Sequence, residues 1–214
     1  MTEKPMSTEL ARAQAWDRLW ARSAKFYDIC MSLLPGWGAR LQKAVPHIRG
    51  DRVLEVSFGT GYLMSKYGKQ CGEVVGVDRS EDMLRQARER CAARGVDAQL
   101  MIGDAQALPF PDGSFDCLVN TDAFSLYDDK QQAMREFFRV LKPGGRMVLM
   151  EINPPHRGQP GSEMGLLLIR VLKMPMIANL PGLITGAGFQ LEDINIGFFG
   201  LQHLYIGTKP EARS

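Results

Sequence analysis

Short apolar runs alternate along most of this chain with stretches whose apolar positions recur at helical spacing. RVLEVSF, GEVVGVD, AQLMIGD, FDCLVNT and RMVLMEI read as strands. Between them GYLMSKYGKQ, SEDMLRQARERCAARG and KQQAMREFFRVLK read as helices. The second is well punctuated: Ser80 caps it, acids fill its first turn, arginines its last, and Gly95 stops it. PGG stops the third. The closing runs LEDINIGFF and LQHLYIGTK form a strand pair with no helix between them. Upstream, Ser7 or Thr8 caps a first helix carrying Leu10, Ala13, Trp16, Trp20, Ala24, Tyr27 and Met31. LPGWG breaks it, and a short helix ARLQKAV leads to Pro46. Alternation at this rhythm predicts an α/β fold: a doubly wound, seven-stranded, mostly parallel sheet with helices on both faces. The final pair implies one antiparallel C-terminal strand.

Composition narrows the function classes. The chain has 214 residues, enough for one domain with a substantial core. Its formal charge of +2 gives no argument for nucleic acid. The four cysteines form no CxxC pair and no Cys/His cluster, so neither a metal site nor a disulfide framework is expected. No run approaches the roughly 20 apolar residues of a membrane span. These features together predict a cytoplasmic protein.

The candidate chemistry begins at VLEVSFGTGYL, where a strand ending in an acid meets a turn with Gly59 and Gly61. Such a turn fits either a nucleotide site or a plain tight turn. Asp78 ends the second strand, 78 − 61 = 17 residues past Gly61. A carboxylate there can accept both hydroxyls of a ribose, or cap the helix that follows. Asp104 ends the third strand, within reach of an adenine amino group, or simply forms a turn. A dinucleotide needs a small residue where this chain has Met64, which disfavours a nicotinamide oxidoreductase. An adenosine ligand without pyrophosphate is S-adenosylmethionine.

The order VLEVSFGTG, VVGVD, GDAQALPFPDGSFD, EFFRVLKPGG resembles the class I S-adenosylmethionine-dependent methyltransferases. It is most similar to the methyltransferase type 11, ubiquinone/menaquinone C-methyltransferase-like subgroup, across Val53 to Glu151. The resemblance implies a Rossmann-like fold. Residues 1–50 would form a helical cap over the cofactor and 51–214 the methyltransferase domain, with 152–182 a substrate-side insertion. Glu55 would face the methionine ammonium, and Ser57, Gly59, Thr60 and Gly61 the methionine portion. Asp78 would take the ribose, with Arg79 and Met83 along the adenine and Gly103, Asp104 and Ala105 at its edge. Asn120 would face the methionine or sulfonium, and Tyr27 would close over the cofactor or serve as core. Ser57 departs from the glycine usual at its position.

Methyl transfer from a sulfonium is an in-line displacement at an activated carbon, so positioning supplies most of the catalysis. A general base is needed only where the acceptor must lose a proton, and Asp122, Glu151 and His156 are the candidates. His203 reads as a satisfied core histidine. The apolar stretch Gly161 to Gly182, broken by Arg170 and Lys173, reads as a helix packed on the sheet or as a lid for an apolar acceptor. The expected activity is methylation of a hydrophobic small molecule or lipid, with peripheral membrane contact left open. A degenerate scaffold or regulator that only binds the cofactor is the alternative.

Overall fold

The computed structural model describes residues 36–154, 162–172, 177, 179–197 and 200–211. Its seven strands are β1 (Arg52–Val56), β2 (Glu73–Asp78), β3 (Ala98–Ile102), β4 (Phe115–Thr121), β5 (Leu141–Ile152), β6 (Gln190–Gly197) and β7 (Gln202–Thr208). They form one sheet in the order β3-β2-β1-β4-β5-β7-β6. The first five pair in parallel, and β7 enters antiparallel between β5 and β6. The α/β expectation with a single antiparallel strand therefore holds. The strand order reverses between β1 and β4, and a crevice opens beyond their carboxyl ends.

The described helices are α1 (Trp37–Gln42), α2 (Met64–Tyr67), α3 (Glu81–Arg94), α4 (Lys130–Val140), α5 (Ser162–Leu172) and α6 (Leu180–Gly186). Successive strand residues point to opposite faces, so Val53 and Leu54 of β1 enter different cores. One face packs Val53, Cys117, Val148 and Leu204 against Trp37 and Leu41 of α1, Met64 of α2, and Leu84 and Ala87 of α3. The other packs Leu54, Leu118, Leu149 and Tyr205 against Met134 and Phe137 of α4 and Ile184 of α6. Residues 36–50 thus contribute Trp37, Leu41, Ala44 and Ile48 to the main core.

Local signals explain most boundaries. The Met83 N–H donates to the Ser80 hydroxyl at 3.3 Å, and Gly95 ends α3 in the left-handed region at φ +62°. Asp129, not Asp128, caps α4 by accepting from the Gln132 N–H at 2.8 Å. Several boundaries differ from the sequence expectation, among them β5, which begins at Leu141 rather than Arg146, and α6, which begins at Leu180 inside the Gly161–Gly182 stretch. α1 starts at Trp37, inside LPGWG, directly after left-handed Gly36, and the Trp37 ring packs 5.0 Å from Tyr62. α4 stops at Val140, since Pro143 disfavours helical geometry at Lys142, and Lys209 Nζ takes the carbonyls of Phe138 and Leu141. α2 is one turn long and tightens at Gly68, where Val96 leaves no room for a side chain.

Candidate active site

β1 leaves the sheet at Ser57, whose backbone takes the left-handed conformation at φ +56° while its N–H holds the Val77 carbonyl at 2.7 Å. Gly59 and Gly61 follow at φ +55° and +70°. Among the described residues nothing lies within 4 Å of where a Gly59 Cβ would stand, so this residue leaves room for a ligand. A Cβ on Gly61 would stand 3.0 Å from Ala87 Cβ, so the second glycine seats the turn on α3. Between them Phe58 is buried over Gly76 of β2, where an added Cβ would meet its ring at 2.7 Å and Met64 Cε at 3.0 Å.

Asp78 joins the turn after β1 to the one after β2. Its Oδ2 accepts the Gly59 N–H and its Oδ1 the Ser80 N–H, each at 2.9 Å. Burial raises its carboxyl pKa, and the two N–H groups with Arg79 oppose that rise. At the tip of β3 the Gly103 N–H donates to the Asp78 carbonyl. Asp104 is exposed and accepts the Gln106 N–H at 2.9 Å, while Ala105 is buried. Met83 is buried at the start of α3 and Arg79 is exposed. These residues converge on the carboxyl ends of β2 and β3.

A cleft opens over β1 and β4. Trp37, Leu41, Phe58, Tyr62 and Leu63 form its apolar side, and Glu55, Ser57, Thr60, Thr121 and Asp122 its polar side, with Gly59 between. Glu55 is buried and accepts the Tyr67 hydroxyl at 2.8 Å. Burial pushes its carboxyl up to about 8 despite that bond, and the charge of Asp78 adds to the rise. Arg90 donates to the Thr60 hydroxyl at 3.0 Å, which fastens the turn to α3.

Behind Ser57 runs a polar chain. Asn120 Nδ2, fully buried on β4, donates to the Val56 carbonyl at 2.9 Å and to the Tyr127 hydroxyl at 2.8 Å. That hydroxyl lies 2.7 Å from Ser57 Oγ. Asn120 Oδ1 is buried with no hydrogen-bond partner among the described residues.

Two further carboxylates end neighbouring strands. Asp122 follows β4 at φ +52° and accepts from Gln202 Nε2 at 2.8 Å. Glu151 of β5 is buried and held by the Ser125 N–H at 2.9 Å and hydroxyl at 3.3 Å. Burial pushes Glu151 up to about 7, and the charge of Asp122 contributes. Burial raises Asp122 as well, against Gln202 and Arg40. Only Asp122 of this pair lines the cleft. His203 is fully buried, with Nδ1 2.8 Å from Asp193 and Nε2 3.1 Å from the Gly200 carbonyl. It is a satisfied core residue. Among the described residues no group of three His, Cys, Asp or Glu side chains could hold a metal ion.

A methyltransferase-domain family model matches residues 54–149. The demethylmenaquinone methyltransferase of Thermus thermophilus is 41% identical over 175 residues, which cover 78% of this chain and 77% of that protein. The chain belongs to the class I S-adenosylmethionine-dependent methyltransferases. Its subgroup is that of the ubiquinone/menaquinone C-methyltransferases. The ubiquinone/menaquinone biosynthesis C-methyltransferase of Yersinia enterocolitica is 41% identical over 112 residues, or 50% of this chain and 45% of that protein. Two solved S-adenosylmethionine-dependent methyltransferases share the fold. The one from Thermotoga maritima superposes with a TM-score of 0.70 at 21% identity over 90% of this chain and 98% of its own. The one from Aquifex aeolicus gives 0.66 at 18% over 88% and 97%.

The cofactor of this methyltransferase is therefore S-adenosylmethionine. The residues fit it: open space at Gly59, a buried carboxylate at the cleft floor, and an adjoining acidic strand tip at Asp78. Of the residues expected from sequence, Glu55, Ser57, Gly59, Thr60 and Asp122 share the cleft, while Gly61 seats the turn behind it. Tyr27 and His156 lie outside the described residues. Tyr127, Tyr67, Trp37 and Tyr62 were not singled out for this site from the sequence. Trp37 sat in a run read as a helix break, and Tyr127 in a loop whose partners are 70 and 7 residues away.

Proposed function

We propose that this methyltransferase acts on a hydrophobic small molecule or lipid, with a demethylated quinone as the first acceptor class to test. The observation that carries this reading is α5, which follows β5 in the chain. It leaves Met164, Leu166, Leu167 and Val171 between 40% and 66% exposed. Four large apolar side chains on one short helix are costly to hydrate, so an apolar partner suits them. The relatives' own names point the same way, since they methylate quinones. No helix among the described residues is long and apolar enough to cross a membrane, so contact with a lipid-borne acceptor would be peripheral.

Glu55 would meet the methionine ammonium, Asp78 the ribose, and Met83, Gly103, Asp104 and Ala105 the adenine, with Arg79 at the rim. The cofactor supplies a methyl group on a sulfonium, already activated for displacement. The apolar wall of Trp37, Tyr62 and Leu63 excludes water and orients an apolar acceptor. Asp122 stands on the polar side of the same cleft, where it would take a proton from an acceptor that must lose one. Glu151, the other carboxylate expected from the sequence, does not line the cleft and is held by Ser125.

The test is incubation with labelled cofactor and a panel of demethylmenaquinone, phospholipid, and water-soluble phenols and amines, read by mass spectrometry. Label in the apolar acceptors alone supports the reading. Label confined to the water-soluble set overturns it.

A further inference from the structure

A serine in the left-handed region is strained by about 1 kcal/mol or more, a cost that glycine would avoid. The side chain at position 57 therefore has a use, and the polar chain behind it shows which. The Val56 carbonyl can only accept, so the atom of Asn120 that faces it at 2.9 Å is the amide nitrogen. Its other hydrogen then goes to the Tyr127 hydroxyl at 2.8 Å. Tyr127 thus accepts from Asn120 and keeps its own proton to give. Among the described residues its hydroxyl has one further hydrogen-bond partner, Ser57 Oγ at 2.7 Å. Were Ser57 the donor in that contact, the proton of the half-buried Tyr127 hydroxyl would have no acceptor among the described residues. The order of donation is Asn120 to Tyr127 to Ser57.

Ser57 is then left with an unspent proton, and it lines the cleft. We infer that Ser57 is a polarised side-chain donor to the carboxylate of the cofactor's methionine, with Tyr127 and Asn120 as the positioning residues that fix its direction. This rests on the placement of the methionine end over β1 and β4. The unspent proton needs an acceptor, which the carboxylate is and the neighbouring ammonium is not. Gly59, one turn away, leaves the space that group needs. Tyr127 itself stays a phenol throughout: burial and the neighbouring charges of Asp78 and Glu151 raise it well beyond the working range.

Two probes separate the ends of the ligand. S-adenosylhomocysteine carries the amino-acid end, and methylthioadenosine lacks it. Calorimetry on Ser57→Ala should show S-adenosylhomocysteine weakened about 10-fold or more, the scale of a hydrogen bond to a charged group. Methylthioadenosine should stay within about twofold. Ser57→Gly, which suits the left-handed backbone, should give the same selective loss and guards against a folding defect in the alanine variant. Tyr127→Phe should reduce the preference for S-adenosylhomocysteine by a smaller factor and again leave methylthioadenosine unchanged. A purely structural role for the chain would weaken both ligands together. Equal losses, or a preference that Ser57→Gly leaves intact, overturn the inference while the cofactor reading stands. Failure of the wild-type enzyme to bind either ligand overturns both.

Discussion

The Tyr67 hydroxyl donates to Glu55 Oε2 at 2.8 Å, and both side chains are buried beneath the cofactor turn. One phenol does not offset the loss of water around the carboxylate, so Glu55 holds its proton up to about pH 8. In the unfolded chain the same group releases it near 4.5. Between these values the unfolded state has lost a proton that the folded state keeps. Stability therefore falls as pH rises through this window, at up to about 1.4 kcal/mol per pH unit for such a group. Glu151 adds to the slope up to about pH 7. Urea titrations at pH 5, 6.5 and 8 should show this decline, and Glu55→Gln should flatten it. An unchanged slope in that variant would show that Glu55 ionises freely in the fold.

The same protonation couples to the ligand. A methionine ammonium placed beside Glu55 favours the carboxylate, so binding at pH 7 should expel close to one proton. Calorimetry with S-adenosylhomocysteine in buffers of different ionisation enthalpy measures that number directly. Glu55→Gln should bring it near zero; proton release that survives the substitution places its source elsewhere.

Asp78 satisfies the N–H groups of Gly59 and Ser80. Asp78→Ala orphans both and removes the proposed ribose acceptor. Hydrogen bonds to a charged group contribute about 1.5–3 kcal/mol each, so cofactor affinity should fall at least 10-fold. Affinity for S-adenosylhomocysteine equal to wild type would show that the tip of β2 takes no part in binding.

Asp122→Asn removes the proposed proton acceptor and keeps the hydrogen bond from Gln202 to a side-chain oxygen. The expected result is a fall in kcat of about 10²–10⁴-fold for an acceptor that must lose a proton. Cofactor affinity should change by no more than about twofold. A kcat within about twofold of wild type rules out Asp122 as the base.

Gly76→Ala tests the packing beneath the turn. The new methyl would meet Leu100 at 2.6 Å, the Phe58 ring at 2.7 Å and Met64 at 3.0 Å. Overpacking of this kind costs about 1–3 kcal/mol, visible as a lower urea midpoint with the same slope. Full stability would mean that Phe58 has somewhere else to go.

The sheet was legible because each of its signals is local. Ser80 and Gly95 bracket α3 through contacts within four residues, and FDCLVNT is β4 residue for residue. The glycine turn and Asp78 were legible for the same reason, being motifs at strand ends. What sequence could not give were partnerships across the fold. Tyr127 meets Ser57 across 70 positions, and Gln202 meets Asp122 across 80. Phe58 reads as too bulky for its turn until Gly76, on another strand, is seen to make room. The α4 boundary missed by sequence was likewise set from afar, by Lys209 reaching back to Phe138 and Leu141.

The place of β7 carries a consequence for biosynthesis. Residues 202–208 form an inner strand, with six of the seven buried, yet they emerge from the ribosome after every other strand of the sheet. Until then β5 presents an open edge from Arg146 to Ile152, and β6 has no partner to receive it. Nascent chains stalled near residue 200 would expose that edge to one another and to chaperones. The half of the sheet that carries Glu151 closes only when the last strand slides between two that were made before it.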